Sequence, residues 1–416
     1  MDQSQPEQER QRMRVHRLDY ARIFSLGGIL GMLLVYGIFA VQHVQDPALN
    51  TSMDFIHFYS AGRISQQYGF SQIYNLDLQK QFEENQLGFK LGNQQFLPFN
   101  HPPYILLPLT MIVSSNYPAS YSLWMICLAG IIFASMLFLK GLLPQKPGNW
   151  RLLFLGGSLF LPILVSIIQG QDTAFMLMGA SIFTWGMLNQ HETTAGFGLS
   201  LLTLRPQLAL FFIIPLFFWS RPAWRSFIFG SALLALASLL MVGWQGSLDF
   251  IHVLQVSAGG KGYGLNESAM FNLLGLTLRL FPLLDAGFVR QMAWGLFLIA
   301  ALGTSLVFAY SKISKEILFA ISILAALLTS PHLHYHDLSL MLIPTIILAR
   351  EVCKENGNAL RLLSLTAASI SLMLILTSKF PSLYFNLPYL LSGVLIFFLL
   401  KTGRVSTQAM LNSLAK

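Results

Sequence analysis

Five short polar runs interrupt an otherwise apolar chain, and they hold the side chains able to do chemistry. The first, Met53–Tyr59, places Asp54 among aromatic residues, where a carboxylate can serve as a general base. Its plainer role is to cap a following helix. The second, Phe99–Tyr104, sets His101 before Pro102 and Pro103, which stop one helix and start the next. The third, Gln169–Asp172, is a polar turn between two short apolar runs; Gln171 and Asp172 sit in it, the latter also suited to cap the next helix. The fourth, Thr203–Gln207, carries Arg205 inside a long apolar stretch, where a guanidinium costs about 2.5–3.5 kcal/mol at membrane depth. An arginine kept there suggests an anionic partner, with snorkelling from a short helix as the alternative. The fifth, Ser330–Asp337, contains His332, His334, His336 and Asp337. Its composition is that of a metal site, but one short run rarely supplies ligands converging on a single point. Hydrogen bonding or phosphate binding is the better reading, and no metal is expected. The chain has no phosphate-cradling Gly-rich loop, dinucleotide fingerprint or Ser-His-Asp signature, which argues against a cytosolic nucleotide as the activated substrate.

The elements that must position these residues are membrane helices. Of 416 residues, 54% are hydrophobic and only 11% charged, against about 25% charged in an average soluble domain. Apolar runs of about 20 residues, each able to cross the hydrocarbon, make this an all-α polytopic membrane protein. Ten spans are expected, near residues 23–42, 118–139, 152–168, 173–189, 223–243, 286–309, 317–330, 337–350, 361–378 and 384–400. Two further apolar stretches, 102–114 and 195–219, contain prolines and are expected to be short or re-entrant, a path tolerated only when buried in protein or lining a wet cavity.

The charge pattern orients the layout. With the N-terminus inside, 18 of the 26 Lys and Arg residues fall in loops assigned to the cytoplasm, as the positive-inside rule requires. The net charge of +8 is therefore topological, and no nucleic-acid partner is expected. Residues 1–22 form a basic cytoplasmic arm, 23–403 a single transmembrane domain and 404–416 a cytoplasmic tail. The stretch 43–101 becomes a long outer loop with one or two interfacial helices, and the stretch from Trp244 to about Ser268 a second outer loop. Cys127 and Cys353 suggest neither a disulfide framework nor a metal site. Asp54, His101, Asp172 and the 332–337 run then share the outer side, with Arg205 approaching from within the membrane.

In order along the chain, these residues resemble glycosyltransferase family 87, polyprenol-phosphate-dependent mannosyltransferases and their relatives with a GT-C fold. The resemblance rests on Asp54-Phe55 with Tyr59 and Ala61, then Ile73-Tyr74, His101-Pro102-Pro103 with Pro108, and Gly170-Gln171. It continues with Arg205-Pro206 where Lys-Pro is common, Asn266 and Ser268, and Ser330-Pro331 with Tyr335 and Asp337. It implies a GT-C-like bundle of about ten transmembrane helices with re-entrant and interfacial helices. It also implies transfer of a hexose, mannose in the mannosyltransferases, from a polyprenyl-phosphate donor to a lipid or glycan acceptor, with inversion. Asp54 would be the base and His336 would stabilise the leaving phosphate. His101, Arg205, His334, Asp337, Gln171, Tyr59 and Asn266 would bind donor phosphate or substrate. No cofactor is implied, the lipid-linked sugar phosphate being a co-substrate. The implied location is the inner (plasma) membrane of a bacterium, with membrane lipids around the chain and both termini cytoplasmic.

Two other readings stay open at this stage. Broken helices and intramembrane charge also suit a secondary transporter, although no internal repeat is evident. A lipid-linked polysaccharide polymerase or ligase would also be membrane-embedded, with its key residues in one large late loop rather than near Asp54.

Overall fold

The computed structural model describes residues 30–46 (except 32), 54–143 (except 93 and 94), 160–258, 267–355 (except 312) and 392–401, with 153, 154, 157, 380, 386 and 389 in addition. The arm 1–22, the tail 404–416, the expected span 361–378 and Asn266 lie outside the described residues. No strand occurs among the described residues, which are 83% helical.

The helices are α1 (Leu33–Gln45), α2 (Phe55–Tyr68), α3 (Leu76–Leu87), α4 (Leu106–Ile112), α5 (Tyr117–Lys140), α6 (Leu161–Gln169), α7 (Thr173–Leu188), α8 (Glu192–Ser200), α9 (Pro206–Trp219), α10 (Arg221–Ala258), α11 (Leu273–Leu280), α12 (Ala286–Tyr310), α13 (Lys315–Thr329) and α14 (Leu342–Glu355), followed by α15 (Ser392–Lys401). Among the described residues α5, most of α10 and α12 are long and apolar enough to cross a membrane. The remaining apolar helices are shorter. In α10 and α12 only 17% of the most apolar window is buried inside the protein, against 39% in α5. Large apolar side chains exposed on α10 and α12, such as Leu236, Leu240, Leu298 and Ile299, are the lipid-facing surface of a membrane protein. The shorter helices α7 and α13 are enclosed by their neighbours: α7 packs on α5 and α8, and α13 on α9, α12 and α14.

Three local departures from the sequence expectations matter for the site. The 43–101 stretch folds into α2 and α3, and α2 is largely buried rather than lying on a surface, with Phe55, Phe58, Ala61 and Ile64 fully enclosed. Residues 244–258, expected as a loop, are helical and continue α10 beyond a kink at Gly243 (φ 70°, ψ −175°), a conformation that only glycine adopts without strain. The stretch 195–219 is not one re-entrant element. α8 runs into a 3₁₀ turn (Leu201–Leu204), and α9 starts afresh at Pro206. Proline disfavours helical geometry in the preceding residue. Arg205 is accordingly extended (φ −130°, ψ 79°), and its side chain leaves from the break.

Candidate active site

One end of the bundle gathers the start of α2, the segment 99–103, the α6–α7 turn, the break at Arg205 and the loop after α13. The turn is built first. Gly170 ends α6 in the left-handed region (φ 72°), donating its N–H to Ile167 while Gln171 N–H reaches back to Ser166, the Schellman pattern. A Cβ at position 170 would lie 2.7 Å from Phe55 Cβ, so glycine is required both by its φ and by the approach of α2. From α5, Trp124 Nε1 donates to Gly170 O at 2.8 Å, and the Tyr121 hydroxyl donates to Ile168 O. The apolar helices thereby hold a polar turn rigid.

That turn organises the charges. Asp172, fully buried, accepts from His101 Nδ1 at 2.7 Å and from Arg205 at 3.4 Å. Burial opposes the charge on Asp172, but His101 and Arg205 outweigh it and hold the carboxyl below the ordinary carboxylate range. Arg205 also approaches Asp337 at 3.8 Å, so one guanidinium ties the α6–α7 turn to the loop after α13. Asp337 accepts from the His334 amide at 3.0 Å and from Thr173 at 3.3 Å. His336 Nδ1 meets Gln169 Oε1 at 3.1 Å, and its Nε2 lies 3.7 Å from Asp337 without making a hydrogen bond. Gln171 donates to Asp54 at 2.6 Å. The loop carrying the histidines is anchored by Asn272, whose amide donates to Ser330 O at 2.8 Å, and by Phe271 N–H to Leu333 O at 3.1 Å.

These groups surround a polar cavity of about 370 Å³. Its walls include Asp54, His57, His101, Gln171, Arg205, His334 and His336. Buried polar atoms of wall residues without a hydrogen-bond partner among the described residues include both ring nitrogens of His57, Gln171 Oε1, Arg205 Nε and His336 Nε2. Such orphans are costly in a folded core, and their convergence marks a site for a hydrogen-bonding ligand. A second cavity, about 330 Å³, shares Asn100, His101, Arg205, Ser257 and His332 with the first. It continues past Leu204, Phe250, Leu254, Met270 and Trp294. A third, about 340 Å³, meets the second at Pro102, Thr203 and Phe250 and runs along Leu234 and Leu239 of α10.

The structure thus brings together Asp54, His101, Gln171, Arg205, His334 and His336 on one wall system, with Asp172 and Asp337 immediately behind it. Tyr59 stands apart. Its hydroxyl donates to Ser114 O at 2.9 Å, and its ring packs on Phe55 and Tyr117, where it fastens α2 to the start of α5. Among the described residues no group of three or more His, Cys, Asp or Glu side chains is arranged to hold a metal ion. Sequence reasoning missed His57 and Thr173, and named Gln169 only as part of the polar turn. Only His57 carried a usable signal, because it follows Asp54 at the three-residue spacing that puts two side chains on one helix face.

Neither a curated protein nor a solved structure matches the chain. The profile of glycosyltransferase family 87 matches residues 99–331, more than half of the sequence, and the matched stretch includes His101, Gln171, Asp172, Arg205 and both residues of Ser330-Pro331. Membrane helices, a polar cavity at one end of the bundle and this match agree: the chain belongs to glycosyltransferase family 87 and is a membrane glycosyltransferase.

Proposed function

We propose that the protein moves a hexose from a polyprenyl-phosphate donor to a hydroxyl of a lipid or glycan acceptor, with inversion at the anomeric carbon. The observation that carries this reading is the junction at Arg205. There a polar cavity containing a carboxylate opens on an apolar cavity that continues along α10. A lipid-linked sugar phosphate has the same division of character: a sugar, then a charged phosphate, then an isoprenoid chain.

In this mechanism the Asp54 carboxylate takes the proton of the acceptor hydroxyl as its oxygen attacks the anomeric carbon. The bond between that carbon and the phosphate oxygen breaks, its electron pair leaves with the phosphate, and the products are the glycoside and polyprenyl phosphate. Gln171, donating to Asp54 at 2.6 Å, holds the carboxylate in place. The growing negative charge on the leaving phosphate needs preorganised donors in a water-poor site. Arg205 Nε, buried and without a hydrogen-bond partner among the described residues, is suited to supply one, and His336 supplies another from Nε2 when its ring is protonated, with Asp337 3.7 Å away to support the charge. Arg205 is already shared between Asp172 and Asp337, so it arrives at the phosphate in a fixed orientation. His101 acts through Asp172, and His334 and Asp337 shape the loop that presents His336. Mannose is the first sugar to try. Following the Lys and Arg distribution, we place the site on the outer face of the membrane with both termini in the cytoplasm.

The test is transfer of radiolabelled sugar by the purified full-length protein in nanodiscs, from a panel of polyprenyl-phosphate donors to a membrane lipid extract, beside an Asp54→Asn variant. The wild type should transfer one sugar of the panel, and the variant should lose about 10³-fold in kcat while keeping its thermal stability. Equal transfer by both proteins removes Asp54 from the mechanism.

A further inference from the structure

His57 has no part in the chemistry described above, yet it is placed where a substrate must lie. It follows Asp54 by three residues at the start of α2, on the same helix face, and both line the polar cavity. The ring is 3% exposed, and neither nitrogen has a hydrogen-bond partner among the described residues. Its orientation is fixed by its neighbours. The His101 ring lies parallel to it (interplanar angle 1°, centroids 5.4 Å apart), Phe58 packs at 4.4 Å and Phe99 at 6.4 Å. A buried imidazole held by three rings, with two idle polar atoms, costs stability unless a ligand completes it.

The kind of ligand follows from the charge state. Burial, reinforced by His101, pushes His57 well below the ordinary imidazole value, so at neutral pH the ring is uncharged and offers one N–H donor and one lone-pair acceptor. A phosphate presents acceptors and would face the lone pair unfavourably. A carbohydrate hydroxyl both accepts and donates, and so do neighbouring hydroxyls on one sugar ring.

We propose that His57 is a specificity-determining residue that hydrogen-bonds a hydroxyl of the carbohydrate held beside Asp54, on the transferred sugar or on the acceptor. This rests on the glycosyl-transfer reading and names the contact by which that site distinguishes one carbohydrate from another.

The experiment uses the full-length protein in nanodiscs, with polyprenyl-phosphate-linked mannose, glucose and galactose as donors and membrane lipid extract as acceptor. His57→Phe keeps a planar ring against His101, Phe58 and Phe99 but removes both nitrogens; His57→Asn restores a donor and an acceptor on a shorter stem. With the sugar that the wild type transfers, H57F should lose about 10- to 100-fold in kcat/KM and H57N should recover part of it. A set of singly deoxygenated donors separates the two sources. If the contact is to the donor sugar, one deoxy donor should be as poor a substrate for the wild type as the parent is for H57F, and H57F should show no further loss with it. If the contact is to the acceptor, every deoxy donor should lose the same factor in both proteins, and the KM for acceptor extract should rise in H57F. Wild-type kcat/KM and acceptor KM in H57F overturn the inference while leaving glycosyl transfer intact. Absence of transfer from all three donors by the wild type overturns both.

Discussion

The two cavities that meet at Arg205 are similar in size, about 370 and 330 Å³, and differ in how their polar atoms are satisfied. Around the first, both ring nitrogens of His57, Gln171 Oε1 and His336 Nε2 are buried without hydrogen-bond partners among the described residues. In the second, the principal charges are already matched, with Arg290 making two hydrogen bonds to Glu267 at 2.8 and 3.0 Å, and the rest of the wall is largely apolar. A polar group satisfied within the protein builds the container, whereas an unsatisfied one anticipates its contents. This contrast suits the proposed reaction, in which bonds would be made and broken in the first cavity and the apolar chain housed in the second.

The sharpest way to break the contrast is at the residue both cavities share. Arg205→Lys keeps the charge but replaces a planar fork by a single point donor, which cannot hold Asp172 and Asp337 together. A loss of about 100-fold in kcat is expected, the scale of removing one transition-state donor. An unchanged kcat in protein of lowered melting temperature would make Arg205 a structural tie only. A smaller effect, of another kind, is expected in the second cavity. Leu254→Trp should fill part of it and raise the KM for a long-chain polyprenyl donor about tenfold while leaving kcat unchanged, the pattern of lost uniform binding. Equal KM values for long-chain and short-chain donors in this variant would show that the chain lies elsewhere.

The third prediction concerns the scaffold of the polar side. Gly170→Ala forces a Cβ into the left-handed region and against Phe55, at a cost of about 1–3 kcal/mol. The melting temperature should fall, and kcat should fall with it because the turn carries Gln171 and Asp172. An alanine variant as stable as the wild type would mean that α2 and the turn are not tightly packed.

The smallest effect is in pH. Burial holds His57, His332 and His334 below the ordinary imidazole value, so the unfolded chain binds protons more readily than the folded one once the pH falls below about 6.5. Their contribution to stability is fully present above that value and is lost progressively as the pH falls towards the folded-state values. Asp172, whose carboxyl is also held below its ordinary range, keeps its contribution until more acid conditions. Melting temperatures between pH 7.5 and pH 5 should therefore decline, and less steeply in H57F. A flat profile would contradict the burial of the three rings.

Much of the local structure was legible because its causes are local. Pro102 and Pro103 start the turn into α4, Pro206 starts α9 and leaves Arg205 extended at the break, and the apolar run 118–139 becomes α5 within a residue at each end. The misreadings share one cause. Residues 244–258 looked like a loop because Gly243 and nearby polar residues end the hydropathy of the span, but a glycine with positive φ can kink a helical path and let it resume. Asp54, His101, Gln171, Arg205 and His336 were singled out individually as ionisable or amide groups in apolar surroundings, which are expensive unless they are used. His57 was overlooked because its one signal, the three-residue spacing from Asp54, counts only once the two are placed on one helix face.

By itself the sequence determined the membrane class, the helix starts and breaks, and the short list of residues too costly to be idle, since hydropathy, proline geometry and desolvation act within a few residues. Only the tertiary structure decided which of them meet. His101 finds Asp172 across 71 residues of sequence, Gln171 finds Asp54 across 117 and Thr173 finds Asp337 across 164. Such pairings depend on helix packing that no local pattern encodes, and the same packing leaves some polar atoms paired and others open to a substrate.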